Sequence, residues 1–473
     1  MRKKADEAFL KKLKDALGAD SVITDREKMI DFSHDEYSRE DIRVFPEAVA
    51  MPSSAEEVSR VLVLCSREGV PVTTRGGGTG LCGGCVPSDG GIVLSLAKMD
   101  KILEVDRDNL AVTAEAGVSL TELFKAVEAK GLFFPPHPGD ESAGVGGVIA
   151  TNAGGARAVK HGVVRNFVRG IEVVLADGEI INIGGKFIKN SSGYSLLNLF
   201  IGSEGTLGVI TKAVIGVIAP PECVYTLIVP YENLDDAIGT VPDIVGKGIT
   251  PMAVEFVEKE SVQASERLLD KKWPGGQGSA DLMIIVDGTG EEEAMKLSEK
   301  IGEICLEHNA IDVFVADTKQ KQENALQIRS GIYEALKNEM IEILDVCVPR
   351  NDIADFVGEV EKIAAEEGMW LPSYGHAFDG NVHVHIMKSR WVDGSWEETA
   401  GWEEKHAAVR KKVHEAGLRF KGIVSGEHGI GLVKKEYLED FLGGRQVALM
   451  RGIKKVFDPE GILNPGKIFE AAE

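Results

Sequence analysis

Three glycine-rich segments in the first half of the chain restrict the folds open to it. They are Arg75–Gly80, residues 135–155 and residues 202–208, and each holds too much glycine for an ordinary helix or strand. Successive glycines let a backbone turn sharply and bring N–H groups against an anion. Arg75–Gly80 alone fits a plain turn as well as a phosphate cradle, and it is not a Rossmann turn because it runs on to Pro87 without entering a long helix. Together, the three segments indicate backbone wrapped around an extended ligand of the size of FAD.

Length and charge bound the organisation of the chain and its partners. A chain of 473 residues exceeds what one hydrophobic core normally serves, so we expect two or three domains. The formal net charge of -22 argues against nucleic acid as a partner and against bulk attraction to an anionic membrane. A pocket for an anion must therefore carry its own local positive charge.

Cysteine usage and the apolar segments indicate the compartment. The six cysteines are sparse and show no disulfide framework, which fits a reducing compartment. No apolar signal region follows Met1, and no apolar run approaches the length of a transmembrane helix. We therefore expect a cytoplasmic protein.

The hydrophobic pattern predicts an α+β chain rather than regular βαβ alternation. In the first half it predicts helices over 5–18, 58–68 and 119–130, strands over 69–74, 91–96 and 110–117, and a hairpin at residues 171–183. Pro220 and Pro221 mark a boundary. Beyond it, strands at 225–229, 282–286 and 311–315 alternate with helices at 291–308 and 352–367, which predicts a sheet with helices on one face. Residues 391–402 are predicted to form a surface loop, and the chain from 431 onward is predicted to be helical.

Two motifs in the second half place histidines beside glycines and a carboxylate. The first runs from Tyr374 to His383 and contains His376, and the second contains Glu427 followed by His428. Two imidazoles and a carboxylate suffice to bind a divalent metal with one position left open, and the adjacent His428 would then be a general base. A single histidine is more often structural, but two separate glycine-flanked motifs favour the metal site. The nearby His385 is a surplus candidate, either a substrate contact or an alternative ligand.

Seven motifs carry a resemblance to a known family. RGGGTGL at 75–81, GGVIATNAGG at 146–155, KNSSGY at 189–194 and IGSEGTLGVIT at 201–211 resemble the FAD domain of the vanillyl-alcohol oxidase / p-cresol methylhydroxylase superfamily. DVCVPR at 345–350, GHAFDGNVH at 375–383 and SGEHGIG at 425–431 resemble one branch of it. That branch holds the glycolate oxidase large subunit, FAD-linked D-lactate dehydrogenases and D-2-hydroxyglutarate dehydrogenase. The motifs occur in the family's order and cover nearly the whole chain.

The resemblance implies an α+β fold with three parts. Residues 1–219 would form a two-subdomain FAD-binding domain of the p-cresol methylhydroxylase type. Residues 220–430 would form an α+β substrate or cap domain with the metal site. Residues 431–473 would form a helical C-terminal segment that packs back on the FAD domain.

The resemblance also implies non-covalent FAD and the residues that hold it. His137 is expected to line the pocket rather than to form a covalent flavin link. The residues that would cradle the pyrophosphate are Arg75, Gly76, Gly77, Gly78, Thr79 and Gly80. Those that would line the pyrophosphate and isoalloxazine are Pro138, Gly139, Gly146, Gly147, Ile149, Asn152, Gly154 and Gly155. Glu204, Gly208 and Ile210 would hold the adenosine end, and Asn464 would close over the flavin.

Cys82 and Cys85 depart from the family's usual first loop. A Cys-x-x-Cys pair is compatible with a redox or metal role. A single pair of cysteines completes neither a metal cluster nor a structural zinc site. The favoured interpretation is therefore that Cys82 and Cys85 are two small residues beside the cofactor.

The resemblance assigns His376, His383 and Glu427 as ligands of zinc, iron or manganese and His428 as the base. Arg329 matches a family arginine that pairs with the substrate carboxylate, a bidentate task that guanidinium suits, although an exposed helix arginine is the alternative. Tyr374 and Lys189 are weaker pocket candidates. Relatives that act on larger diacids carry extra cations before DVCVPR, whereas this chain has Ile343 and Leu344 there, which favours a small monocarboxylate.

The implied activity is FAD-dependent oxidation of a small 2-hydroxy acid, with D-lactate preferred and glycolate or D-2-hydroxyglutarate as alternatives. The chain has no iron–sulfur motif and no Rossmann fingerprint, so electrons are expected to pass to a separate acceptor. The acceptor would be an iron–sulfur subunit, a quinone system or an electron-transferring flavoprotein. A partner-dependent, non-catalytic flavoprotein subunit is a further alternative. The complete metal and base set argues against it.

Overall fold

The computed structural model describes residues 3–37 and 39–470 of the chain. Its α-helices are, in chain order, α1 (Glu7–Leu17), α2 (Ala55–Glu68), α3 (Leu120–Glu128), α4 (Val145–Thr151), α5 (Ala158–His161), α6 (Leu197–Phe200), α7 (Leu234–Gly246), α8 (Lys259–Leu269), α9 (Glu291–Glu307), α10 (Lys319–Leu336), α11 (Ile353–Glu367), α12 (Trp402–Arg419), α13 (Lys435–Leu442) and α14 (Gly444–Phe457). None of these helices is both long enough and apolar enough to span a membrane.

The strands of the same two ranges are, in chain order, β1 (Val22–Ile23), β2 (Ala48–Ala50), β3 (Val72–Arg75), β4 (Ile92–Ser95), β5 (Ile102–Asp106), β6 (Ala111–Glu115), β7 (Val168–Val174), β8 (Ile180–Gly184), β9 (Val209–Gly216), β10 (Cys223–Tyr231), β11 (Ala253–Glu258), β12 (Ala280–Gly288), β13 (Phe314–Ala316), β14 (Met340–Cys347), β15 (Ser373–His376), β16 (Asn381–Met387), β17 (Ser389–Val392) and β18 (Ser395–Glu398). Together with the helices they confirm the predicted α+β class.

The chain divides into two compact units. The first runs to Gly154, continues over Val163–Pro220 and resumes at Glu427. The second holds Gly155–Gly162 and Pro221–Gly426. The domain limits at 219 and 430 stay predictions, and the tip of the predicted C-terminal segment, residues 471–473, lies outside the described residues.

The first unit contains two sheets with separate apolar cores. A four-stranded sheet of order β1-β2-β4-β3 packs against α1 and α2, and its strands β2, β4 and β3 run parallel. A five-stranded antiparallel sheet of order β5-β6-β9-β7-β8 packs against α3 and α4. The C-terminal helix α14 belongs to this unit, where Phe457 meets Phe200 with the ring centroids 5.2 Å apart.

The second unit is built on a seven-stranded antiparallel sheet of order β13-β10-β12-β11-β15-β16-β14. Alternate residues such as Phe256, Leu344 and Val384 point into an apolar core that α7, α9, α11 and α12 cover. Arg329 of α10 bonds to Glu255 of β11 on the opposite face, and α8 packs on α10. The prediction of helices on one face was therefore wrong. Helices α8 and α10 cover this second face, whose carboxylates and imidazoles are buried.

Residues 391–402 were predicted as a surface loop, and this prediction was wrong. Strands β17 and β18 form a hairpin in which Trp391 pairs with Trp396, and the two ring centroids are 5.3 Å apart. The turn is Asp393-Gly394, with φ of 46° and 92°. A two-residue Asp-Gly turn with both residues in the left-handed region suits a tight hairpin, and the cross-strand aromatic pair stabilises it.

Candidate active site

Two of the glycine-rich segments of the first unit pack backbone against backbone. A Cβ at Gly77 would lie 3.0 Å from the carbonyl oxygen of Ser142, and a Cβ at Gly144 would lie 3.7 Å from the amide nitrogen of Gly77. A Cβ at Gly76 would lie 3.8 Å from Gly147. Bare backbone without intervening side chains is what a bound pyrophosphate requires, so these residues fit the predicted FAD cradle.

The Arg75 side chain is held by two contacts within the first unit. Its guanidinium donates to the carbonyl oxygen of His34 at 2.5 Å and contacts the sulfur of Cys85 at 3.2 Å. Gly78 has a φ of 80°, and a Cβ there would overlap the Arg75 guanidinium. A Cβ at Gly80 would lie 3.5 Å from a carboxyl oxygen of Asp35, a buried residue that was not predicted. Burial raises the pKa of Asp35 to about 6.

Glu204 and Asn464 join three loops of the first unit. The two carboxylate oxygens of Glu204 accept the N–H groups of Ile430 and Gly431 at 2.8 and 2.7 Å. Burial raises the pKa of Glu204, and the two N–H groups oppose that rise. The Asn464 side-chain amide donates to the carbonyl oxygens of Glu204 and Gly84 at 2.6 and 2.9 Å. The loop that begins at Glu427 is therefore tied to predicted cofactor residues.

Glu427 also lies against a predicted flavin residue. A Cβ at Gly154 would sit 2.5 Å from a carboxylate oxygen of Glu427 and 3.1 Å from its Cβ, so a side chain at position 154 would displace the Glu427 carboxylate. The next residue, His428, accepts a hydrogen bond from the Cys82 thiol on its carbonyl oxygen at 3.1 Å. Within the first unit, the Glu-His motif thus lies among the predicted FAD segments.

The other predicted cofactor residues occupy several environments, and the structure does not bring all of them to one surface. Ile149 and Ile210 are buried in the core of the five-stranded sheet, and a Cβ at Gly208 would meet Val173 at 2.5 Å. His137 stacks on Phe124, with the ring centroids 5.7 Å apart. Of the remaining predicted residues, Gly146 lies in α4 and Asn152 is its C-cap, whereas Pro138 and Gly139 precede this helix in the chain and Gly155 follows it.

Cys82 and Cys85 are free cysteines in the first unit. Burial raises the pKa of both thiols, that of Cys85 to about 11. Since the thiolate is the reactive and metal-binding form, the protonated thiols favour the interpretation of two small residues beside the cofactor.

In the second unit, strand pairing gathers the predicted metal and substrate residues on one buried face. Glu255 pairs with His376 across β11 and β15, Tyr374 pairs with His383 across β15 and β16, and Asp345 pairs with His383 across β14 and β16. Directly paired residues point to the same side of a sheet. The motif Tyr374–His383 therefore folds as a β-hairpin that carries both His376 and His383, whose ring centroids are 5.4 Å apart.

Glu255 contacts two of the predicted site residues at once. One of its oxygens accepts a hydrogen bond from Nδ1 of His376 at 2.5 Å, and the other accepts from the Arg329 guanidinium at 2.5 Å. Burial opposes ionisation of Glu255, but its electrostatic contacts and hydrogen bonds with His376 and Arg329 hold its pKa below the ordinary value. Glu255 was not among the predicted site residues. Its signal was an acid in an otherwise apolar run, Ala253–Val257, that predicts a buried strand.

His383 lies beside a second buried carboxylate that was not predicted. Its Nδ1 is 3.7 Å from an oxygen of Asp345, and Ser425 donates to the other oxygen of Asp345 at 2.7 Å. The N–H of Gly426 donates to the carbonyl oxygen of Asp345 at 3.0 Å. Ser425 and Gly426, the two residues before Glu427 in the chain, are thus both hydrogen-bonded to Asp345.

The aromatic and cationic neighbours complete this face. The Arg329 guanidinium lies over the Tyr374 ring, 4.4 Å from its centroid, so Arg329 is not an exposed helix arginine. The Tyr374 ring lies 5.1 Å from that of His385, and Nδ1 of His385 is 3.0 Å from the sulfur of Met340. Two imidazoles flanked by carboxylates are a donor set that divalent transition metals accept, so this face fits the two-histidine part of the predicted metal site.

Family models match most of the chain. One described as "FAD linked oxidases, C-terminal domain" matches residues 220–468, and one described as "FAD binding domain" matches residues 46–184. The chain belongs to the FAD-linked oxidase family. The chain is therefore an oxidoreductase with FAD as its cofactor, and the predicted resemblance is confirmed.

Curated relatives match nearly the full length of the chain. A D-lactate dehydrogenase of Archaeoglobus fulgidus is 47% identical, over 89% of this chain and 90% of that protein. A D-lactate dehydrogenase of Anaerostipes hadrus is 44% identical, over 93% and 92%. The glycolate oxidase subunit GlcD of Bacillus subtilis is 39% identical, over 90% and 89%.

Solved structures share the fold at low sequence identity. p-Cresol methylhydroxylase with bound substrate matches with a TM-score of 0.78 and 17% identity, over 98% of this chain and 96% of that one. Alkyldihydroxyacetonephosphate synthase matches with a TM-score of 0.75 and 19% identity, over 98% and 86%. The predicted p-cresol methylhydroxylase-type fold is confirmed.

Proposed function

We propose that the chain oxidises a small D-2-hydroxy acid to the 2-oxo acid, with D-lactate as the preferred substrate. The observation that carries the proposal is the buried face of His376, His383 and Arg329, which offers metal ligands and a cation for a carboxylate in a chain of net charge -22. The names of the relatives support the substrate class. Two at 47% and 44% identity are D-lactate dehydrogenases, and one at 39% is a glycolate oxidase subunit.

Each side chain then has a defined task. Arg329 binds the substrate carboxylate, a role for which its planar guanidinium is suited. His428 removes the proton of the C2 hydroxyl as general base. Bound FAD would supply an acceptor for the C2 hydrogen and its electron pair, and a bound divalent metal would supply a Lewis acid for the hydroxyl oxygen. His376, His383 and Glu427 hold that metal, which is zinc, iron or manganese by ligand type.

The electrons leave through a separate protein. The six cysteines are scattered and form no disulfide in the described part of the chain, and the sequence has no motif for an iron–sulfur cluster, which needs several cysteine ligands. An iron–sulfur subunit or an electron-transferring flavoprotein is therefore the proposed acceptor.

The function is tested by anaerobic reduction of the flavin. FAD- and metal-loaded protein is mixed with D-lactate, L-lactate, glycolate or D-2-hydroxyglutarate, and the flavin absorbance is followed. We expect rapid bleaching with D-lactate and little with L-lactate. If none of the four acids bleaches the flavin, the isolated chain is not a 2-hydroxy-acid dehydrogenase, and a partner-dependent flavoprotein subunit is the better description.

The role of Arg329 is tested by Arg329→Gln. A hydrogen-bonded charge pair contributes about 1.5–3 kcal/mol, so we expect KM for D-lactate to rise by about 10- to 100-fold while FAD stays bound. Arg410→Gln is the matched control, because Arg410 is as buried as Arg329 (14% and 13% exposed) and likewise lies beside a buried glutamate, Glu342. An unchanged KM in Arg329→Gln, or an equal rise in both variants, contradicts the assignment.

A further inference from the structure

Glu255 links two groups that the proposed function uses for different tasks. Its side chain is 1% exposed, and its two oxygens are divided between His376 and Arg329. His376 is a proposed metal ligand, and Arg329 is the proposed partner of the substrate carboxylate. His376 lies on β15 and Arg329 on α10, so a single carboxylate on β11 connects two other elements of the second unit.

The chemistry of a carboxylate determines what this contact does to the imidazole. An ionised carboxylate only accepts hydrogen bonds, so Nδ1 of His376 carries the proton. In a neutral imidazole the other nitrogen, Nε2, then holds the lone pair that a metal binds. Carboxylates that accept from a ligating histidine in this manner fix both its tautomer and its ring orientation.

The second oxygen acts on the guanidinium. Arg329 has several N–H donors in a rigid planar fork, and Glu255 engages only one of its terminal nitrogens. The contact, together with the Tyr374 ring beneath, sets the plane of the fork. A guanidinium with a preset plane loses less conformational entropy when it binds a carboxylate.

We propose that Glu255 is the positioning residue of the active site, which prepares His376 for the metal and Arg329 for the substrate carboxylate. The inference rests on the proposed function. It predicts that one substitution weakens metal binding and substrate binding together, although Glu255 itself touches neither.

The test is metal affinity in Glu255→Gln, measured on FAD-loaded protein by competition with a chelator and by elemental analysis. Zinc, manganese and ferrous ion are the probes. We expect the affinity to fall by about 10- to 100-fold and KM for D-lactate to rise in the same variant. Glu255→Asp keeps the charge but is one methylene shorter, and it should also bind metal more weakly. It serves as the second variant if Glu255→Gln does not fold.

Glu342→Gln is the matched control. Glu342 is also 1% exposed, lies in the same unit and accepts from a histidine, His406, at 2.8 Å, with Arg410 3.4 Å away. It contacts α12, away from His376. We expect Glu342→Gln to keep the metal affinity and KM of the unsubstituted protein.

The outcomes separate the two proposals. If the unsubstituted protein binds metal and oxidises D-lactate but both Glu255 variants match it, only the positioning role is overturned. Equal losses in Glu255→Gln and Glu342→Gln also overturn it, because they indicate general destabilisation of the unit. If the unsubstituted protein binds no divalent ion, the proposed metal-assisted function fails, and the role of Glu255 fails with it.

Discussion

Replacing His428 with alanine is expected to slow the reduction of FAD by D-lactate on the order of 10²- to 10⁴-fold, which is the usual contribution of a general base. The hydroxyl proton then has no acceptor at that position, whereas the FAD contacts remain. The backbone carbonyl of His428, which accepts the Cys82 thiol, is unchanged by the substitution. Anaerobic stopped-flow measurement of the flavin absorbance gives the rate, and the absorbance after desalting gives the FAD content.

His308→Ala is the control for this experiment. His308 lies in the second unit and bonds through its ring to Asp243 at the surface, outside every proposed role. Its substitution should leave the rate unchanged. Unaltered flavin reduction in His428→Ala would remove His428 as the base, and loss of FAD from that variant would assign it a structural role.

His383→Ala is expected to remove the bound metal and to lower turnover by on the order of 10²- to 10³-fold, because a metal ion contributes several kcal/mol of charge stabilisation. His385→Ala should retain the metal. The two histidines lie on one strand, point to the same face and are both buried. The rings of both histidines lie near that of Tyr374, but His385 contacts the sulfur of Met340, whereas His383 pairs directly with Asp345.

Metal content after dialysis and the rate of flavin reduction are measured for both variants. The pair decides between the two histidines, since any general effect of a smaller side chain on this face is common to both. Retention of metal by His383→Ala together with its loss from His385→Ala would make His385 the ligand and reverse the assignment.

Much of the fold followed from local patterns. Helix α2 and the hairpin of β7 and β8 were predicted because the period of apolar residues and the residues of a tight turn are encoded within a few positions. The hairpin at Asp393-Gly394 carried the same kind of signal, but the polarity of the surrounding residues suggested a loop. The helices on the second face of the seven-stranded sheet were not predicted. That face is recognisable only from buried polar residues that alternate with apolar ones along β11, β14, β15 and β16, and these strands were not predicted.

Most of the reactive residues of the candidate site could be recognised in the sequence. Glycines at 76–80 and 144–155, the histidines of Tyr374–His383 and the Glu427-His428 pair are recognisable because each motif is local and few structural roles require it. Arg329 was predicted from the resemblance, and the structure adds that it is largely buried on Tyr374 and Glu255.

What the sequence by itself determined is therefore the set of reactive groups and the glycine loops, since these depend on residue type and short spacing. The tertiary structure alone decided how those groups are held. Glu255 and His376 are 121 positions apart, and Ser425 and Asp345 are 80 apart. Their contacts arise from strand register and from the return of the chain to β14, and neither is encoded in the neighbourhood of the residues it joins.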